Sequence, residues 1–154
     1  MEIKDIEDLR NIEFNHQIDI QIRFSDVDAF GHVNNAMQIT YFDYGKIQYF
    51  DAVKFRFPEE DGSALIVVNV NVDFMEQIRL KDEIVVKTKI CEIGHKSVKL
   101  VQVIEDKNNG HVKSVCRTVM CGYNAVNQES IVIPDKWRKL INTYEQYCPL
   151  PDDK

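Results

Sequence analysis

The sequence predicts an α+β domain: a strand, a long buried helix, four strands pairing antiparallel, and a short final helix. Three observations carry this. Apolar residues alternate at a period of two over residues 17–24, then recur at helical spacing from Asn35 to about Val53. From residue 65 to residue 125 the alternation returns in four stretches, the last three separated by the turn signals Gly94-His95 and Asn109-Gly110. A chain of 154 residues can bury a sizeable core, and residues 1–154 read as a single domain.

Residues 1–16 show no clear period and read as a short helical or irregular lead-in. In residues 17–24, QIDIQIRF, the side chains of Ile18, Ile20, Ile22 and Phe24 fall on one face and those of Asp19, Gln21 and Arg23 on the other, which describes a half-buried strand. The helix follows, with Ile39, Phe42, Tyr49, Phe50 and Val53 at helical spacings and Met37, Tyr41, Tyr44 and Ile47 adding apolar character elsewhere. A helix apolar nearly all round is expected to be buried. Gly45 in its interior costs about 1 kcal/mol against alanine, which points to a close approach of another backbone. Residues 54–63, with Pro58 and Gly62 among charges, read as a loop. Strands are expected at 65–74, 83–93, 98–105 and 112–125, the last three as an antiparallel meander. Pro134 and Asp135 then open a helix with Trp137, Leu140, Ile141 and Tyr144 at i, i+3, i+4 and i+7, suited to covering an edge or face of the sheet.

Composition narrows the function. A net charge of -6 and a pI near 5.2 argue against a nucleic-acid surface, which is normally basic. No apolar run approaches the ~20 residues of a membrane helix. The opening MEIKDIEDLR is acidic and polar where a signal peptide is basic and then apolar. The expectation is a cytoplasmic protein without membrane contact. Cys91, Cys116, Cys121 and Cys148 show no C-x-x-C spacing and are expected as buried free thiols. His16, His32, His95 and His111 are scattered without ligand spacing, so no metal and no cofactor is expected.

The chemistry concentrates in residues 23–35, RFSDVDAFGHVNN, at the strand-to-helix junction. A helix start leaves backbone N–H groups without intrahelical partners and carries partial positive charge, so it suits an anion or a developing oxyanion. Asp26 and Asp28 lie just upstream, and a turn at residues 29–31 would let one of them swing back toward the helix start. A carboxylate beside free donors can attack a carbonyl held there, or deprotonate a water next to it. Spacing alone also fits ordinary turn and cap residues.

The stretch DVDAFGHVNN, followed by AMQITYFDYGK, resembles the hotdog-fold thioesterases, specifically the 4-hydroxybenzoyl-CoA thioesterase-like branch of the acyl-CoA thioesterases. The element order agrees over most of the chain. The resemblance implies a curved antiparallel sheet wrapped around a central helix and hydrolysis of an acyl-CoA or aroyl-CoA thioester. It also implies subunits paired edge to edge, as a homodimer or homotetramer, with the active site at the dimer interface. It makes Asp28 the nucleophile or general base, and the backbone N–H at or near Asn35 the group that polarises the carbonyl. His32 would orient the loop or touch substrate. Asn34 would hydrogen-bond the carboxylate or cap the helix, and Asp26 would be a structural cap. In the turn GHKS, His95 and Lys96 match positions at which related thioesterases hold the CoA phosphates, with Lys99 and Arg79 as helpers; otherwise these are solvated charges. Asp43 is the reserve acid, since some hotdog thioesterases take theirs from this helix, and otherwise an exposed or hydrogen-bonded group. Tyr41, Tyr44, Tyr49 and Phe74 line the acyl pocket or belong to the core. Several family members carry apolar or aromatic residues where Val33, Asn34 and Asn35 stand, which counts against 4-hydroxybenzoyl-CoA itself as substrate. Competing readings are an acyl-ACP thioesterase, a noncatalytic acyl-CoA-binding hotdog module, and a hotdog dehydratase, whose Asp and His stand at a different spacing.

Overall fold

A computed structural model describes Leu9 and residues 11–146. In chain order the elements are β1 (His16–Ile20), a 3-10 turn (Phe24–Asp26), α1 (Asn35–Val53), β2 (Ser63–Phe74), β3 (Ile84–Ile93), β4 (Ser97–Asp106), β5 (Val112–Asn124), β6 (Glu129–Ser130) and α2 (Asp135–Glu145). The strands form one antiparallel sheet in the order β1-β3-β4-β5-β2, with the two-residue β6 added to β5. β3, β4 and β5 make the expected meander, with Val86 opposite Ile104 and Gln102 opposite Cys116. β2 crosses to the far edge and pairs with β5, its register shifting between Val67 and Asn69.

Helix α1 lies across β3, β1 and β4. Its buried stripe is Gln38, Tyr41, Phe42, Gly45, Tyr49, Phe50 and Val53, the spacing that keeps one helix face on a sheet. Tyr41 and Phe42 pack with Val33, Ile78, Val86 and Ile104. One end further along, Tyr49, Phe50 and Val53 pack with Ile90, Leu100, Trp137 and Ile141. A Cβ on Gly45 would stand 2.5 Å from Val86 Cγ1 and 3.4 Å from Gln102 Nε2. The close approach is therefore to side chains of β3 and β4, not to a backbone. Gln102, itself buried, donates from Nε2 to the Phe42 carbonyl (2.9 Å) and to Thr88 Oγ1 (3.0 Å), tying the helix interior to the sheet.

Three expectations are corrected. β1 ends at Ile20, not at residue 24, and Phe24 is 85% exposed instead of facing the core. The cause is Asp26, 4% exposed, whose Oδ2 accepts from Arg23 N (3.0 Å) and from the Tyr41 hydroxyl (2.6 Å) and winds the chain into the 3-10 turn. α1 is not buried all round, because the sheet covers one side of it; Ile39, Tyr44 and Ile47 face outward. Of the cysteines, Cys116 is buried but Cys91 and Cys121 are half-buried; all three are free thiols, and burial pushes the Cys91 and Cys116 thiols up. Cys148 lies outside the described residues.

The lead-in has a packing role that its sequence did not announce: Leu9, Ile12 and Phe14 cover Val101, Val103 and Val115 on the sheet face opposite α1. At the other face, α2 docks Trp137 and Ile141 into the core and ends on Glu145, which is fully buried. Glu145 Oε1 accepts from the Tyr49 hydroxyl (2.6 Å) and Oε2 from Lys89 Nζ (2.8 Å). His16 stands edge-on to Tyr49 with ring centroids 5.6 Å apart. Burial lowers its pKa, outweighing the opposite pull of Glu145.

Two outcomes are expected. Gly45→Ala gains about 1 kcal/mol of helix propensity, yet its methyl group overlaps the buried Val86. Overpacking of that kind costs about 1–3 kcal/mol, so denaturant titration should show a net loss. For His16, the depressed pKa means that the unfolded chain binds the proton first. Its contribution is present above pH 6.5 and is lost as the pH falls through the lower, folded value. Replacing it by phenylalanine should flatten the fall in melting temperature below pH 6.5; an unchanged profile would assign that fall to other groups.

Candidate active site

The loop between the 3-10 turn and α1 is a short hairpin closed by a bridge between Val27 and Val33. Asp28 N donates to the His32 carbonyl (2.8 Å) and Gly31 N to the Asp28 carbonyl (3.0 Å). Gly31 takes φ of 81°, the left-handed conformation that favours glycine. The turn folds the Asp28 carboxylate back onto its own loop. Its Oδ1 accepts from Phe30 N (2.9 Å) and His32 N (3.3 Å), while Oδ2 has no partner among the described residues. One oxygen is held by the hairpin's own amides and the other is not.

The donors at the start of α1 can be accounted for one by one. Asn34 N donates to the Asp26 carbonyl (2.9 Å). Ala36 N is taken by Asn34 Oδ1 (2.8 Å), and Met37 N by the Asn34 carbonyl (2.9 Å). Asn35 N alone in this turn has no partner among the described residues. It sits at the positive end of a 19-residue helix with no acidic residue in its first turn.

Asp28, His32 and Asn35 line one cavity of about 490 Å³, together with Phe30, Gln38 and Phe74. That volume lies within the usual range for a small-molecule site, about 300–1,000 Å³. Asn34 does not line it; its side-chain oxygen is spent on the helix cap. Asp26 is closed off beneath, and Tyr41 donates to it. Burial and the Asp26 carboxylate hold the Tyr41 phenol well above its ordinary pKa, which keeps it a donor.

The remaining expected residues separate from this centre within one chain. Asp43 is exposed and paired with Lys46 (3.1 Å). Tyr49 is in the core and Tyr44 on the outward helix face. His95 and Lys96 stand in the β3–β4 turn, while the cavity loop contacts the chain before β3, where Val33 N donates to the Ile78 carbonyl (2.7 Å). The ten residues of β3 lie between, about 30 Å at the usual strand rise of about 3.3 Å per residue. That turn is held by Arg138, whose guanidinium donates to the Gly94 (2.7 Å) and His95 (3.1 Å) carbonyls. Lys96 Nζ reaches Ser130 Oγ (3.4 Å), and Lys99 pairs with Glu92 (3.3 Å). Arg79 does lie beside the cavity, bridged through its backbone to His32.

The sequence did not single out Gln38 or Phe30. The signal for Gln38 was present: an uncharged polar residue in the buried stripe of α1, three positions after Asn35.

The family model for the thioesterase-like superfamily matches residues 22–151. Among curated relatives, the chloroplastic acyl-acyl carrier protein thioesterase ATL2 of Arabidopsis thaliana is 31% identical over 81 residues, 51% of this chain and 43% of the relative. The chain matches about half or less of the length of these curated relatives. A Thermus thermophilus thioesterase, crystallised with coenzyme A and Zn, superposes with a TM-score of 0.78 at 26% identity, covering 89% of this chain and 98% of that one. A 1,4-dihydroxy-2-naphthoyl-CoA thioesterase from Synechocystis shares the fold, with a TM-score of 0.73 at 14% identity over 81% of this chain and 93% of that one. The sheet wrapped on α1 is thus a hotdog fold, and a family match running from the end of β1 past α2 shows that the chain belongs to the thioesterase-like superfamily.

Proposed function

We propose that the protein is a thioesterase that hydrolyses an acyl-CoA or aroyl-CoA thioester to the free acid and CoA. The observation that carries this is the shared cavity: it is lined both by Asp28, with one carboxylate oxygen held and one unpartnered, and by Asn35, whose N–H at the helix start is unpaired among the described residues. The Asn35 N–H donates to the thioester carbonyl oxygen. Asp28 Oδ2 then takes a proton from a water that attacks the carbonyl carbon, or itself attacks to give a mixed anhydride that water later opens. In either route the C–S bond breaks and the leaving thiolate recovers a proton. A donor placed at the developing oxyanion is worth about 3 kcal/mol in the transition state, more than it contributes to ground-state binding.

The substrate class rests on the resemblance and on relatives that are themselves CoA-bound or act on acyl carrier protein. Both carriers present the same phosphopantetheine thioester. Arg79, beside His32, is the expected cation nearest the cavity; His95 and Lys96 would serve the nucleotide only from another copy. A second copy has a physical place to sit. β2 is an edge strand whose Ile66, Val67, Val68 and Val70 are exposed, and the outward face of α1 adds Ile39, Tyr44 and Ile47. An apolar edge of that length needs covering. We assign it to a homodimer, or a homotetramer of two such dimers, with the cavity near the interface.

Release of free thiol from short, long and aromatic acyl-CoA thioesters tests the assignment. Asp28→Asn, with the fold intact, should lower turnover by at least about 100-fold. Undiminished turnover would move the acid elsewhere, and tight acyl-CoA binding without hydrolysis would favour a noncatalytic binding module. Hydrolysis confined to acyl carrier protein thioesters would change the carrier and keep the chemistry. For the assembly, Val70→Lys should shift sedimentation toward the monomer and reduce turnover with it; a monomeric wild type of full activity would rule the dimer out.

A further inference from the structure

We propose that Gln38 is a second donor to the reacting carbonyl, an inference that rests on the thioesterase reading above. Gln38 stands first in the stripe that α1 buries, followed by Tyr41, Phe42, Gly45 and Tyr49. Packing alone would be served by an apolar side chain at this position. Gln38 is only 3% exposed, its Oε1 is closed to solvent, and neither end of the amide has a hydrogen-bond partner among the described residues. Buried polar groups are almost always partnered, so an unpartnered amide calls for a ligand or a cost retained for function.

The position says which ligand atom it meets. Gln38 lines the same cavity as Asp28 and Asn35. Oε1 is the closed-off end; in this proposal Nε2 is the end offered to that space. Cα–Cβ bonds in a helix tilt toward its N-terminus, so a side chain three residues after Asn35 covers the turn that carries the Asn35 N–H. One donor comes from the end of the helix and one from its side. The group between them in a bound thioester is the carbonyl oxygen, which gains negative charge as the bond to the nucleophile forms and loses it when the thiolate leaves. A neutral amide serves there without titrating and without neutralising Asp28. In its unliganded state the amide weakens the fold, the usual relation between a preorganised site and stability.

The test measures kcat, KM and melting temperature for wild type, Asp28→Asn, Gln38→Met and Gln38→Glu, using the acyl-CoA that wild type hydrolyses fastest. Gln38→Met keeps the volume and removes the donor. It should lose about 100-fold in kcat, the order expected for one oxyanion donor, with KM little changed and melting temperature unchanged or raised. Gln38→Glu retains an acceptor and no donor, and should lose as much. Near-wild-type kcat in Gln38→Met overturns the proposal. So does high activity in Gln38→Glu, which would make the required group an acceptor, and so does a loss of kcat in Gln38→Met that follows a fall in its melting temperature, which would mark a packing role. If Asp28→Asn is inactive while Gln38→Met is active, only the role of Gln38 falls. No thioester hydrolysis by wild type removes both readings together.

Discussion

Helix α1 can lie against β3 and β4 because residue 45 has no side chain. At that point Val86 occupies the space a Cβ would need, and one turn earlier Gln102 reaches up to the Phe42 carbonyl while also holding Thr88. The first contact sets how close the helix comes, and the second fixes it along its axis. A hydrogen bond from a buried side chain to a mid-helix carbonyl is directional where apolar packing is not, and leaving either partner unpaired would be costly. The other features follow from this seat. It sets where the N-terminus of α1 emerges, which residues its outward face leaves bare, and where α2 can close the far end on Tyr49 and Glu145.

The candidate site is the consequence at the near end. Asp26 is sealed beneath the loop and links it to the helix through Tyr41, one full turn past Gln38. With that anchor in place the hairpin has little freedom. Its own amides hold Asp28 by one oxygen, and Asn34 takes up the neighbouring donors until the Asn35 N–H is left over. The two aspartates of the D-x-D pair therefore stand in different environments: the first is buried and the second exposed. Burial divides them, since a carboxylate closed off with a tyrosine donor cannot reach a substrate.

The far end uses the same kind of chemistry for stability. Glu145, Tyr49 and Lys89 form a buried polar group in which both carboxylate oxygens are satisfied. It lets the last residue of α2 enter the core without an unpaired charge. Removing one partner of such a set is far more damaging than replacing the whole set by apolar residues. Between these two polar ends the apolar stripe of α1 is continuous, and the sheet supplies its complement in Ile90, Leu100 and Ile104.

Periodicity and turn chemistry made most of the architecture legible. The switch from period two to helical spacing located α1, the Gly94-His95 and Asn109-Gly110 turns located the meander, and the i, i+3, i+4, i+7 pattern located α2, because each of these is a local constraint on the backbone. The junction was legible for the same reason, as carboxylates a few positions before a helix start, while the choice of Asp28 and Asn35 within it came from the family resemblance. What the sequence could not carry was anything that depends on distance between strands. The crossing of β2 to the far edge, the 3-10 turn that exposes Phe24, the covering of the sheet by Leu9, Ile12 and Phe14, and the separation of His95 and Lys96 from Asp28 are all set by which surfaces meet. Gln38 belongs to the same class: its residue type and spacing were visible, but only the packing of α1 on the sheet decided that its amide would be buried, without a partner among the described residues, and beside the candidate cavity.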